Sequence, residues 1–340
     1  MRLDVALAVE AGRLNEASAI ARAAEAVGFA GLWTTETKHN PFFPLLIAAD
    51  HTAEIELGTA VAIAFARSPM VTAQAAWDMQ AFSGGRFILG LGTQVKAHIE
   101  RRFGMAWDPP VAKLRDYIGA LRAIWESWQS GAKLDYRGQF YNHTLMIPFF
   151  NPGPIAEPRI PIYIAGVNEG LARLAGETCE GFHVHPFHSV AYLEQVVRPQ
   201  IAAGAAKAGR TIADVTLASS IFVVTGPDEA AMEGMRQFAR EQIAFYASTP
   251  TYRVVLACHG WEDVGEELSR LAATRRWGEM GRLISDEMLA VFTVQAPFHR
   301  LGRALRERYD GVLDRVTPYM PYSPGPLDEV WREVARELRA

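Results

Sequence analysis

The sequence predicts an α/β chain whose parallel strands close into a (β/α)8 barrel, a TIM barrel, carrying two insertions. Two observations carry this prediction. Strand-type and helix-type hydrophobic periods alternate from the N-terminus onward. About eight strand-like segments follow one another, the number that closes such a barrel. Repeated β–α units imply parallel strands joined by right-handed crossovers. One barrel with insertions absorbs all 340 residues, and no Gly/Ser/Pro-rich linker divides them, so 1–340 reads as a single domain. A doubly wound open sheet is the alternative.

Leu3, Val5, Leu7 and Val9 alternate as in a strand, and Leu14, Ala17, Ile20, Ala24 and Val27 then recur at helical spacing until Gly28. Further strands are expected at 31–35, 55–65, 86–91, 161–165, 181–185, 216–224 and 316–320. Ser68 caps a helix with Pro69 at its first position, and Gly84-Gly85 ends it. A long helix is expected over 111–130. The segment 134–160, with a hairpin-like turn at Tyr136 to Phe140, lies between strands four and five and is expected to cover one mouth of the barrel. The segment 247–308 reads as helical, without a convincing strand, and intervenes before the last strand.

Composition excludes several classes. Hydrophobic residues at 49% and charged residues at 21% exclude a disordered chain. With 34 basic against 38 acidic residues, a net charge of −4 and no Lys/Arg run, nucleic acid is not the expected partner. Cys179 and Cys258 stand in neither a CxxC nor a zinc spacing and read as reduced thiols. Asp4 and the alternation behind it are unlike a signal peptide, and no apolar run reaches the about 18 residues of a membrane helix. The expectation is a soluble, cytoplasmic protein acting on a small molecule, without membrane contact.

Active sites of parallel barrels lie at the C-terminal strand ends. That rule selects Glu36 with Thr37, Lys38 and His39; Thr59-Ala60-Val61; Gly90 to Gln94 with Lys96 and His98; Ala165-Gly166-Val167-Asn168; and His183, His185 and His188. Gly92 and Gly166 either make tight turns or let a backbone approach a ligand closely. Asn168 opens a helical run whose free N–H groups suit a phosphate. Glu36 is an acid/base or acceptor candidate, or else a cap or salt-bridge carboxylate. His183 and His185 share one strand face, opposite Phe182 and Val184. No further His/Asp set completes a metal site, so the histidines read as a polar pocket wall and no metal is expected. No G-x-S-x-G elbow is present. Trp33, Phe42, Phe43, Phe65, Trp107, Phe149 and Phe150 either line a flat-ligand pocket or belong to ordinary core.

Three segments carry a resemblance: GFAGLWTTET at 28–37, LGTAVAIAFARSPMVTAQAAWDMQAFSGGRFILGLGTQ at 57–94, and PIYIAGVNEGLARLAGETCEGFHVHPF at 161–187. Through them the chain resembles the bacterial luciferase-like monooxygenase superfamily of flavin- and deazaflavin-dependent enzymes. Within it, the chain looks most like actinobacterial oxidoreductases that use coenzyme F420. The resemblance implies a cofactor ring in the C-terminal mouth of the barrel and a non-prolyl cis peptide at Ala60–Val61 behind the ring. It implies a phosphate-bearing tail near Gly92, Thr93 and Gln94 and near Ala165, Gly166, Val167 and Asn168. Glu36 sits where related enzymes place an acid near the ring. Deazaflavin-dependent sugar-phosphate dehydrogenases of the superfamily carry a catalytic His directly after that acid. Thr37 stands there in this chain, and His39 is the nearest imidazole. Glu36 and His39 are therefore the candidates for proton handling. The expected activity is hydride transfer between F420 and a small organic substrate. An FMN-dependent monooxygenase of the same fold and a non-catalytic flavin- or deazaflavin-binding protein are the alternatives. The resemblance also implies a homodimer.

Overall fold

The computed structural model describes residues 1–7 and 13–339. Val9, the last alternating residue of the first expected strand, lies outside the described residues. Eight parallel strands close on themselves: β1 (Arg2–Ala6), β2 (Gly31–Thr34), β3 (Glu56–Thr59), β4 (Phe87–Gly92), β5 (Ile162–Gly166), β6 (Gly181–Val184), β7 (Thr216–Val224) and β8 (Arg315–Pro318). Closure is direct, because Val316 of β8 pairs with Leu3 of β1 on one side and Ser219 of β7 on the other. Helices α1 (Ala17–Val27), α2 (Phe42–His51), α3 (Pro69–Phe82), α4 (Pro110–Ser130), α5 (Glu169–Thr178), α6 (Arg198–Lys207), α7 (Leu301–Tyr309) and α8 (Asp328–Arg339) accompany the strands. The Ser68 hydroxyl accepts from Val71 N at 3.3 Å with Pro69 behind it, as its sequence position predicts. No helix among the described residues is long and apolar enough to cross a membrane.

The structure corrects three expectations. The strand expected over 55–65 stops at Thr59; the Ala60–Val61 peptide is cis, Ala62–Ile63 then pairs with the end of β4, and a 3-10 turn follows at Ala64–Ala66. The segment 134–160 does not cross a mouth. Its hairpin, Tyr136–Arg137 against Asn142–His143, lies on the outer helices. Tyr136 Oη donates to Asp116 O of α4 at 2.9 Å, and Trp77 and Gln80 of α3 donate to Gly153 O and Arg159 O. These buried polar groups of α3 and α4 need partners, and the segment supplies them. Finally, 247–308 does contain a strand. Thr293–Gln295 pairs in parallel with the end of β7, Val294 opposite Val223, and so ties the insert to the barrel.

Strand alternation sends one set of side chains outward to the helices and another into the barrel. The outward set, such as Leu3, Leu32, Leu57, Leu89, Ile164 and Phe182, makes the main apolar core. The inward set at the N-terminal end is polar. Arg315, 1% exposed, donates from Nε to Asp4 Oδ2 at 2.7 Å and from Nη2 to Oδ1 at 2.8 Å. It also pairs with Glu56, and Trp33 Nε1 donates to Asp4 Oδ2 at 2.9 Å. Burial works against the guanidinium charge, but Asp4 and Glu56 outweigh it and hold Arg315 above its ordinary pKa. A Cβ at Gly31 would lie 2.4 Å from Arg315 Nη2, so the plug also dictates that glycine.

Removing one member of such a pair leaves a buried, uncompensated charge. Arg315→Met is expected to lower the unfolding free energy by about 3–5 kcal/mol in urea denaturation. Adding Asp4→Leu should restore part of that loss. A deficit below about 1 kcal/mol in the single variant would show the pair to be dispensable.

Candidate active site

Inward side chains differ between the two ends of the barrel. Above the plug, Trp33, Tyr163 and His183 form a floor, with His183 at 4.9 Å from the Trp33 ring and 5.3 Å from that of Tyr163. Beyond the floor the inward positions are small: Ala6, Ala60, Gly90, Gly92, Ala165 and Ser220. Ala6, Ala60, Ala165 and Ser220 are only half-buried. A residue facing the inside of a closed barrel keeps solvent access only where the barrel is open above it. The C-terminal half is therefore a hollow, open at the end where barrel enzymes place their chemistry.

One wall of the hollow is the bulge at Ala60–Val61. Ala60 N donates to Thr34 O at 2.7 Å, Thr35 Oγ1 to Ala60 O at 3.0 Å, and Glu36 N to Val61 O at 3.3 Å. Glu36 completes the brace. Its Oε2 accepts from Ile63 N at 2.7 Å and from Arg67 Nη1 at 2.6 Å, and its Oε1 accepts from Arg67 Nη2 at 2.6 Å. Both side chains of this two-pronged pair are mostly buried, at 8% and 15% exposure. The glycines of β4 belong to the same device. A Cβ at Gly90 would lie 1.7 Å from Thr59 O, and one at Gly92 would lie 2.5 Å from Val61 Cγ2.

Glu36 thus takes the salt-bridge arrangement that its sequence position also allowed. Both carboxylate oxygens are engaged by charge-assisted bonds, so the residue braces the bulge. His39 stands exposed in the loop after β2. Lys38 and His98 are exposed as well.

Two further strand ends border the hollow. After β4, Gln94 adopts φ +58°, uncommon for a non-glycine residue. Its Oε1 accepts from Val95 N at 3.0 Å, and Thr93 Oγ1 donates to Gln94 O at 3.1 Å, so local bonds hold the turn. After β5, Asn168 precedes α5 in extended conformation without a side-chain cap, and its carbonyl accepts from Leu171 and Ala172. The amides of Glu169 and Gly170 are left at a helix start, where an anion is favoured. The Glu169 carboxylate in that turn is bound to Gln200 Nε2 at 3.3 Å. At Gly166 a Cβ would lie 2.6 Å from Leu171 Cβ, so close packing of α5 on β5 calls for glycine there.

The three histidines part company. His183 and His185 face inward while Phe182 and Val184 join the outer core, as their alternation predicts. His188 turns away: its Nδ1 lies 3.0 Å from His185 O and 3.2 Å from Ser219 Oγ, and its ring is 5.8 Å from that of Tyr309. Among the described residues no three metal-capable side chains converge. Burial pushes all three imidazoles down, His183 and His185 to about 3 and His188 to about 4, with Arg315, His188 and Arg308 respectively as weaker contributors. The Nε2 of His183 is fully buried and has no partner among the described residues.

Of the aromatic candidates, Trp33 forms floor. Phe42 and Phe65 belong to the outer core, Trp107 packs edge-on to Phe65, and Phe43, Phe149 and Phe150 are exposed. Cys179 is fully buried, its thiol pushed up to about 12 by burial. Sequence reasoning missed Arg67, Ser220, Tyr246, Tyr252 and Tyr319. Continuing the inward alternation Arg315, Thr317, Tyr319 would have found the last of these, but the others carry no local signal. A groove of about 860 Å³ lies outside the barrel beside α4, α5 and the hairpin. Its charges pair with one another, Arg115 with Glu177 and Arg122 with Glu180, and it touches no C-terminal strand end.

The buried imidazoles make stability depend on pH. In the unfolded chain they bind protons below about pH 6.5; in the folded chain they resist until about 3 to 4. Between those values the unfolded state holds more protons. The full stability is present above about pH 6.5 and falls with pH by about 1.4 kcal/mol per pH unit for each histidine. Urea denaturation at successive pH values between 7.5 and 5, on the parent and on His183→Asn, should show a shallower loss in the variant, by about that amount. Identical slopes would mean that folded His183 takes up its proton as readily as the unfolded one.

Comparison with known proteins agrees with this architecture. The luciferase-like monooxygenase family model matches residues 1–315. An uncharacterized protein of Mycobacterium tuberculosis is 46% identical over 306 residues, 90% of each chain. The 5,10-methylenetetrahydromethanopterin reductase of Archaeoglobus fulgidus is 30% identical over 312 residues, 88% of each chain. Among solved structures, the coenzyme F420 dependent tetrahydromethanopterin reductase from Methanopyrus kandleri superposes with a TM-score of 0.79 at 20% identity, over 100% of this chain and 99% of that one. The FMN-bound oxygenating constituent of 3,6-diketocamphane monooxygenase from Pseudomonas putida reaches 0.71 at 14% identity, over 99% and 97%. With a closed eight-stranded barrel, a bulge behind its mouth and a family match over most of its length, the chain belongs to the luciferase-like monooxygenase family.

Proposed function

We propose that this protein is a coenzyme F420-dependent oxidoreductase that moves a hydride between the deazaflavin and a small organic substrate. One observation carries the proposal. The hollow is accessible and floored by rings, no three metal-capable side chains converge there among the described residues, and the Glu36 carboxylate beside it is tied to Arg67. Its imidazoles stay neutral well below pH 6. Such a cavity is suited to bind and orient, and in this reading a cofactor supplies the redox chemistry.

The residues present fit a flat ring with an anionic tail. The small inward residues leave room that side chains would fill elsewhere, and the unpartnered His183 Nε2 stands at the floor. In this proposal Ala60 and Val61 back the ring, with Glu36 and Arg67 bracing them. Gly92, Thr93 and Gln94 and the stretch Ala165, Gly166, Val167 and Asn168 hold the tail, and the first amides of α5 meet its phosphate. His39, in water at the rim, is the group left to carry a proton. When bound, the deazaflavin supplies a carbon that accepts or donates hydride. Trp33, Tyr163 and His183 close the bottom of the hollow against water.

Support for F420 over FMN comes from the reductase relative at 30% identity taken together with the solved coenzyme F420 dependent tetrahydromethanopterin reductase, which shares the fold. The FMN reading stays open through the shared fold of the FMN-bound monooxygenase. Titrating F420 and FMN separately into the purified apo protein, followed by fluorescence, tests the proposal. F420 is expected to bind at least about tenfold tighter, a difference near 1.4 kcal/mol. The opposite order would move the assignment to an FMN monooxygenase. Tight F420 binding with no hydride exchange against a panel of ketones, alcohols and imines would leave a binding protein.

A further inference from the structure

The side of the mouth facing the bulge is an aromatic wall. His185 continues the inward face of β6, Tyr319 that of β8, and Tyr246 and Tyr252 come from the insert. All four rings are half-buried. β6 to β8 lie across the barrel from β2 and β3, so this wall and the bulge face each other over the hollow. His185 stands two residues beyond His183 of the floor, about 6.6 Å further along the strand direction, toward the open end.

The polar atoms of the wall differ in how they are engaged. Tyr246 donates to Tyr319 at 2.5 Å, and Tyr319 donates onward to Gln242 Oε1 at 3.4 Å, so both hydroxyl hydrogens have acceptors within the protein. The Tyr252 hydroxyl makes no bond among the described residues and can turn either to donate or to accept. His185 has no such freedom. Its Nδ1 accepts from Phe187 N at 3.1 Å, which puts the ring hydrogen on Nε2. Its ring stacks on Tyr252 with centroids 4.4 Å apart and 27° between planes, and it meets Tyr246 edge-on at 4.6 Å and 85°. Burial pushes the imidazole down to about 3, with His188 as the weaker contributor, so it is uncharged at neutral pH. The Nε2–H has no partner among the described residues, and unlike the sealed Nε2 of His183 it keeps contact with solvent. Tautomer, charge and ring orientation are thus all fixed before a ligand arrives, which is the arrangement that makes a donor effective in a hollow.

We propose that His185 is a catalytic residue that holds the substrate, an aldehyde or ketone, by its oxygen: the carbonyl accepts from the His185 Nε2–H and turns its carbon toward the bulge. A group that donates and cannot accept has a carbonyl oxygen as its complement, and the rings around it supply stacking area. The proposal rests on the hydride-transfer assignment only for the cofactor's place against the bulge. On reduction the carbonyl carbon gains hydride from the reduced deazaflavin, the C=O π pair moves onto oxygen, and a proton from water at the rim, through His39, completes the alcohol. The hydrogen bond from His185 strengthens as the oxygen gains charge, so it favours the transition state over the bound carbonyl compound. His185 keeps its own proton throughout.

Calorimetry with acetophenone and α-methylstyrene, on the protein with and without F420, tests it, because the second probe differs only in carrying a CH2 group in place of the oxygen. His185→Phe keeps a ring for Tyr252 to stack on and removes the donor. The preference for acetophenone relative to α-methylstyrene is expected to fall about five- to tenfold from the parent to His185→Phe, the size of one lost hydrogen bond. F420 affinity should stay within about twofold of the parent value. In NMR of the parent, which needs no variant to fold, acetophenone should move the imidazole N–H resonance of His185 and α-methylstyrene should leave it in place. An unchanged preference overturns the proposal, and so does a His185 resonance indifferent to acetophenone. A larger loss of F420 affinity would put the ring on the cofactor and overturn it as well. A preference that falls as expected in a protein binding neither F420 nor FMN would sink the hydride-transfer assignment and leave His185 as the holder of the oxygen. F420 binding with an unchanged preference would do the reverse.

Discussion

Arg315 ties three strands together inside the barrel, meeting Asp4 of β1 and Glu56 of β3 from the start of β8. A charged group there is tolerated because the fully buried Asp4 and the partly exposed Glu56 pair with it, and Trp33 donates a further bond to Asp4. The cluster fills the N-terminal half of the barrel with polar atoms fully engaged with one another. Everything above it can then be small. Had Leu or Phe filled these layers, as is common in barrels of this size, their bulk would have continued upward and closed the hollow.

The bulge is held by a second polar brace, made of Glu36, Arg67 and the Ile63 amide. It constrains sequence at a distance. Gly90 and Gly92 are required by Thr59 O and Val61, which the bulge pushes toward β4. At Gly166, in contrast, the nearby contact is with helix α5, through Leu171. Neighbouring glycines at similar strand ends thus have unrelated causes, and only the contact a Cβ would make tells them apart.

Legibility from sequence follows the range of the interactions. The barrel was readable because strand and helix periods are local, as was the Ser68-Pro69 helix start. The opposite facing of His183 and Phe182 follows from strand alternation alone. The cis peptide at Ala60–Val61 came from family resemblance; no local pattern announces it. Asp4 and Arg315 are 311 residues apart, and Glu36 and Arg67 are 31 apart, so neither pairing is visible in any window. The short strand Thr293–Gln295 is hidden between helices and has meaning only beside β7. Glu36 shows the limit most plainly: position marked it as important, but only its bonds to Arg67 and the Ile63 amide show that it braces the bulge.

The two faces of the mouth are encoded by different stretches of chain. The bulge, its brace and the ends of β4 and β5 all lie between residues 33 and 168, whereas the aromatic wall spans 185 to 319. Thr293–Gln295 fastens the insert to an edge of β7 and leaves β2 to β4 untouched. Inheritance of the two faces is therefore separable. Descendants of this chain can rewrite the second stretch, or exchange it by recombination, and acquire a new appetite for ligands while the first stretch keeps its architecture.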